Sequence, residues 1–194
     1  MNKLLVFHGI RTNGDDNIDL LGGRIAAAGF PVVFVDMKNT RITSSRSKRI
    51  LNENMDRIGR IYREGDHVLA HSNGVRTSHF LQNNGFKFGK CMFFNGALDS
   101  RVEFPEGSYE EILNVYNRRD SALMFGAMRP RHDWGALGRI GYRGKSPRVQ
   151  NYEDKTRKFF SLNHANFAHP DYIECWKDIC LAFLDYEPDN SLQR

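Results

Sequence analysis

The chain has 194 residues, 40% of them hydrophobic and 26% charged, a balance that excludes disordered and fibrous classes and suffices to bury the core of one domain, residues 1–194. No apolar run approaches the roughly 18 to 20 residues that cross a bilayer, and the N-terminal run is too short for a secretory signal, so no membrane span and a cytoplasmic location are expected. The net charge of +5 is concentrated in residues 41–49 and 118–158, a basic surface that suits an acidic substrate, anionic lipid or nucleic acid, or is simply a solvated face.

Residues 3–7 (K-L-L-V-F) form a continuous apolar run, as expected of a strand buried on both faces, and His8 and Gly9 end it. Residues 10–16 read as a polar loop and 17–28 as a helix closed by Gly29. A second strand is expected over 30–35. Ile50, Leu51, Met55, Ile58, Ile61 and Tyr62 then recur at helical spacing, which predicts an amphipathic helix over 47–63, stopped by Gly65. A short apolar strand, Val68 to Ala70, runs through Ser72 into a helix from Asn73 to about Gln82. Further strands are expected at 90–94, 111–116 and near 148–152. Pro170 is suited to the first turn of a last helix, whose apolar stripe runs from Tyr172 to Leu184. Residues 187–194 read as a polar tail. Strands alternating with helices predict an α/β fold with a mainly parallel six-stranded sheet and helices on both faces, a three-layer sandwich. Cys91, on a predicted strand, and Cys175 and Cys180, on the last helix, lie in apolar settings and are expected to be reduced and buried, and no C-x-x-C metal spacing occurs.

In such sheets ligands bind where the strands end at their carboxyl edge. That edge would collect His8 and Gly9, Ser72, residues 95–99 and residues 117–120. A serine in Ala70-His71-Ser72-Asn73-Gly74, between strand and helix, fits the nucleophile elbow G-x-S-x-G with alanine for the first glycine. A serine hydroxyl needs a base, and the base needs a carboxylate to orient it. Ser72, then Asp120 after the fifth strand, then His164 before the last helix supply these groups in the order Ser, Asp, His.

On these residues, together with the His8-Gly9 strand end and Asn163-His164-Ala165-Asn166-Phe167, the chain resembles the α/β-hydrolase superfamily over nearly its whole length. The resemblance implies a reduced member without the family's two N-terminal strands and a strand order of 2-1-3-4-5-6. It also implies an oxyanion hole made by the backbone N–H groups of Asn73 and Ile10, with Arg11 the next candidate. No cofactor and no metal are implied. The expected activity is a serine hydrolase acting on a carboxylic ester, with thioester and amide as alternatives, through an acyl-enzyme on Ser72. Asp99 is the alternative acid, and His132 the alternative base within the basic insertion. His71 is expected to point its side chain away from that of Ser72, His79 reads as packed or exposed on the elbow helix, His169 as a neighbour of a helix N-cap, and His8 as structural.

The insertion, about 121–147, mixes Met124, Phe125, Met128 and Trp134 with arginines and glycines. It reads either as a lid or substrate wall, with Arg11, Arg139, Arg143 and Trp134 as substrate-binding candidates for a small and anionic ester, or as a packing loop with a solvated basic edge. Two other functions remain open: a catalytically inactive binding module on the same fold, and a nucleic-acid-binding protein, for which no recognised motif accompanies the arginines.

Overall fold

The computed structural model describes residues 2–9, 17–37, 48–127, 135–156 and 161–187. The strands β1 (Leu4–Phe7), β2 (Val32–Phe34), β3 (His67–His71), β4 (Lys90–Phe94), β5 (Glu111–Tyr116) and β6 (Val149–Glu153) form one sheet in the order β2-β1-β3-β4-β5-β6. Every pairing is parallel, so the expected strand order holds and the sheet is wholly rather than mainly parallel.

The continuous apolar strands have a simple consequence. Side chains alternate across a strand, so an unbroken apolar run supplies two cores at once. Leu4, Val6, Leu69, Met92, Phe94, Leu113 and Val115 meet α1 (Asn17–Ala27) and α6 (Ile173–Phe183) on one face. Leu5, Phe7, Val68, Ala70, Cys91, Phe93 and Ile112 meet α2 (Lys48–Gly59) and α3 (Asn73–Asn83) on the other. Each face is therefore covered by helices. Phe7, Phe93 and Phe94 are fully buried, and burial of each such ring stabilises the fold by about 1.5–3 kcal/mol. Trp176 of α6 meets Phe94 edge-on at 5.3 Å.

Several elements are shorter than the hydrophobic pattern predicts. β2 begins only at Val32, because Pro31 has no N–H to donate, although its carbonyl still accepts from Leu4 N at 2.8 Å. The helix expected to reach residue 63 ends at Gly59, and its first expected residue, Ser47, lies outside the described residues. The helical bonding ends as Tyr62 N donates to the Ile58 carbonyl at 2.8 Å, and the Tyr62 ring packs on Phe86 and Phe88 while its hydroxyl donates to the Lys87 carbonyl at 2.7 Å. The last helix starts at Ile173 rather than at Pro170. The residues before it form a separate turn in which Tyr172 N and Ile173 N donate to the His169 carbonyl. Among its described residues the insertion holds two short helices, α4 (Ser121–Ala127) and α5 (Leu137–Ile140).

The cysteine expectation needs one correction. All three thiols are free, but Cys175 is exposed, on the solvent side of the helix stripe that buries Cys180. Cys91 and Cys180 sit in the cores on opposite faces of the sheet and cannot meet, and burial pushes both thiols up from their ordinary pKa.

Two glycines separate close packing from mere helix propensity. A Cβ at Gly74 would stand 2.2 Å from the Phe7 carbonyl oxygen, whereas one at Gly23, within α1, would meet nothing within 4 Å. Urea denaturation should show Gly23→Ala stabilised by about 0.5–1 kcal/mol, as expected for removing glycine from a helix interior. Gly74→Ala should lose at least about 2 kcal/mol. Equal shifts in the two variants would mean that the approach of α3 to β1 is not tight.

Candidate functional site

The carboxyl ends of β1, β3, β4 and β5 converge as a parallel sheet requires, and the polar residues at these ends are largely buried. Ser72, between β3 and α3, has φ 55° and ψ −118°, a conformation that costs a non-glycine residue about 1–3 kcal/mol. The surroundings hold it there. Its N–H donates to the Phe94 carbonyl at 3.0 Å, and its own carbonyl accepts from Val75 N at 3.2 Å and Ala97 N at 3.1 Å. Gly9 lets β1 end beside it, since a Cβ there would stand 2.9 Å from Ser72 Cβ. Ser72 thus projects from a turn whose backbone is fixed on both sides. Asn73 opens α3, and its N–H donates to none of the described residues. The Asn73 carboxamide is buried, with neither its oxygen nor its nitrogen hydrogen-bonded.

Asp120 lies after β5 and is wholly buried. A buried carboxylate is tolerable only if its oxygens are hydrogen-bonded, and here three donors serve it. Oδ1 accepts from Leu123 N at 2.9 Å, which makes Asp120 the N-terminal cap of α4. Oδ2 accepts from Asn95 Nδ2 at 2.9 Å and from His164 Nδ1 at 2.7 Å. With Nδ1–H committed to Asp120, His164 Nε2 is left as the proton-accepting atom.

His164 is carried by a loop that side chains hold in place. Leu162 and Asn163 both have positive φ, 60° and 58°. Ser121 Oγ donates to the Leu162 carbonyl at 2.8 Å, and Asn163 Nδ2 donates to the Arg119 carbonyl at 3.2 Å. Asn166 Nδ2 in turn donates to Asn163 Oδ1 at 3.2 Å. The loop is thereby tied to the segment that bears Asp120. Ser72 Oγ is not hydrogen-bonded to His164 or to any other described residue. Such contacts often tighten only when substrate is bound.

The rival residues are placed elsewhere. Asp99 is exposed and accepts from Arg101 N at 2.7 Å, a local loop bond. His79 donates through Nε2 to the Glu103 carbonyl at 3.0 Å and packs on Phe104, and burial pushes its imidazole below the ordinary pKa. His169 Nδ1 accepts from Asp171 N at 3.2 Å in the turn before α6. His8 is buried and donates through Nδ1 to the Gly9 carbonyl at 2.8 Å. Ile10, Arg11, His132 and Trp134 lie outside the described residues. Arg139 is half-buried on α5 and Arg143 is exposed, and neither is ion-paired to a described residue.

The insertion's glycines have a packing role where they are described. A Cβ at Gly135 would stand 1.9 Å from the Leu98 carbonyl oxygen and one at Gly138 2.2 Å from the Asn95 carbonyl carbon. Gly138 N donates to the Gly96 carbonyl and Asn117 N to the Gly138 carbonyl, so α5 is wedged between the ends of β4 and β5.

Two residues that sequence reasoning leaves without a role belong to this cluster. Asn95, itself at φ 48°, orients the Asp120 carboxylate. His71 donates through Nε2 to the His164 carbonyl at 3.0 Å. An asparagine directly after an apolar strand is a signal for the first; nothing local announces the second.

No protein-family model matches the sequence, and no curated protein matches it either. Among the described residues no three His, Cys, Asp or Glu side chains cluster to hold a metal ion, and no helix is long and apolar enough to cross a membrane. What the cluster offers chemically is a hydroxyl on a strained turn, an imidazole with one nitrogen on a buried carboxylate, and, at the start of an eleven-residue helix, an N–H that donates to none of the described residues.

Because Asp120 satisfies three donors at once, Asp120→Ala should destabilise the protein by about 2–4 kcal/mol, against less than about 1 kcal/mol for Asp99→Ala. Chemical denaturation of the two variants measures this difference, and a comparable small loss in both would show that the buried cluster is not holding the loops together.

Proposed function

We propose that the protein is a serine hydrolase that cleaves a carboxylic ester through an acyl-enzyme on Ser72. The observation that carries this reading is the pairing of a strained serine at the end of β3 with a histidine whose Nδ1 lies 2.7 Å from a buried aspartate, on the same edge of the sheet. In this mechanism His164 Nε2 takes the Ser72 proton as Oγ attacks the carbonyl, and Asp120 keeps the imidazole in the required tautomer. The N–H of Asn73 stabilises the oxyanion, and the resemblance assigns the second donor to Ile10, outside the described residues; each such donor is worth about 3 kcal/mol in other enzymes. His164 then returns the proton to the leaving alkoxide, and water, activated by the same nitrogen, releases the acid. The similarity to α/β-hydrolases supports this assignment through the elbow, the residue order and the strand order.

The alternative, a binding module on the same fold, draws on one observation, the missing hydrogen bond between Ser72 Oγ and His164. A fluorophosphonate probe separates the two. Labelling should map to Ser72 and vanish in Ser72→Ala, and hydrolysis of a short p-nitrophenyl ester should fall by at least about a thousandfold. His164→Ala should be nearly as severe, and the double variant little worse, because the groups act as one unit. Unlabelled wild-type protein with no esterase activity would favour the binding module.

The guanidinium groups of Arg139 and Arg143, without ion partners among the described residues, support an anionic substrate, since an arginine fork binds carboxylate or phosphate well and is a poor base. Alanine at both positions should raise KM for an anionic ester severalfold and leave a neutral ester unchanged. The penalty should shrink with added salt, which screens exposed charges beyond about 10 Å at 0.1 M. A salt-independent loss on both esters would assign these residues to packing instead.

A further inference from the structure

The loop that carries His164 is held to its neighbours through side chains, and one of these contacts comes from the residue next to Ser72. His71, the last residue of β3, is buried and paired in register with Phe94 of β4, so its backbone belongs to the sheet and not to a loop. Its Nε2–H donates to the His164 carbonyl at 3.0 Å, its ring lies 4.7 Å from the His164 ring, and its other side rests on Phe167 at 5.2 Å. Phe167 in turn packs on Phe94 at 4.7 Å. His164 is therefore gripped twice: its imidazole by Asp120 and its main chain by His71.

We infer that His71 is a positioning residue, a strut of one side chain that sets the distance between Ser72 and His164 through the His164 carbonyl. This inference rests on the hydrolase reading above for its consequence, but not for its geometry. Asp120 fixes which nitrogen of His164 faces the acid, and the bonds from Ser121 and Asn163 tie the loop to that same Asp120-bearing segment. Only the bond from His71 ties it, among the described residues, to the strand that ends at Ser72, since Leu162 and Asn163, both at positive φ, form no backbone ladder with β3. The covalent step from His71 to Ser72 means that any shift of the nucleophile carries the strut with it. A displacement of about 1 Å between catalytic groups can cost a hundredfold in rate.

The test uses three substitutions. Glutamine can place an amide N–H where Nε2 of His71 lies, whereas asparagine can reach only the place of Nδ1 and alanine removes the donor. Two readouts are taken on the full-length protein: kcat and KM for a short p-nitrophenyl ester, and the NMR signal of the His164 Nδ1–H held by Asp120. His71→Ala and His71→Asn should lower kcat at least about tenfold with KM little changed, and should broaden or abolish the proton signal. His71→Gln should restore both to within a few-fold of wild type. If glutamine rescues no better than asparagine, or if alanine leaves the signal and kcat intact, the strut does not exist and His71 is only packed there. Should wild type hydrolyse no ester, the proton signal alone decides: its loss in His71→Asn and survival in His71→Gln upholds the strut while the hydrolase reading fails. Should alanine fail to fold, the glutamine and asparagine pair still distinguishes the outcomes.

Discussion

The approach of α3 to the end of β1 is the constraint from which the site follows. Helix α3 starts this close above the end of β1 because the residue that meets β1 carries no side chain. A Cβ at residue 74 would stand 2.2 Å from a carbonyl oxygen of β1. Glycine admits that approach, and the chain must then turn sharply at the residue two positions earlier. Ser72 takes the positive φ that this geometry demands, and the end of β4, the loop after it and the first turn of α3 hold it by backbone hydrogen bonds rather than by its side chain. The hydroxyl is thereby left out of the structural bonding, and the local strain is offset by the pairing of β3 with its neighbours.

A second constraint organises the other half of the site. Burying a carboxylate without donors would cost several kcal/mol, so the chain around Asp120 is arranged to supply them. The three donors come from three different places: the first turn of α4, the end of β4 and the loop before α6. The same oxygen atoms that need satisfying thus draw distant segments together, and His164 is one of the segments drawn. Asn95 does for the aspartate what the aspartate does for the histidine. Stability and site geometry are the same interaction here.

Glycines in the described part of the insertion serve contact rather than motion. Gly135 and Gly138 let α5 lie against backbone at the ends of β4 and β5, where any side chain would collide. This wedge faces the same carboxyl edge as Ser72, so the insertion contributes a wall to that edge through its backbone. Its cationic side chains, Arg139 and Arg143, are without ion partners among the described residues.

Much of this was legible in the residues themselves. Continuous apolar runs identify strands buried on both faces, because only such strands need apolar side chains at both alternating positions, and helical periodicity between them leads to a parallel sheet. Pro31 and Tyr62 show where periodicity misleads: a missing N–H shortens one strand, and an aromatic ring spaced as if on the helix packs on Phe86 and Phe88 after the helix has ended. Ser72 was legible because its neighbours must be small, a requirement written in adjacent residues. Asp120 and His164 could be proposed from their order along the chain, but not their contact, since 44 residues separate them. Tertiary structure alone decided that Asp120 is buried and Asp99 exposed, that Asn95 turns its amide to the carboxylate, and that His71 reaches the carbonyl of His164. Those facts depend on which strand ends become neighbours and on what each buried polar atom finds there, and no local pattern of residue types encodes a partner that arrives from elsewhere in the chain.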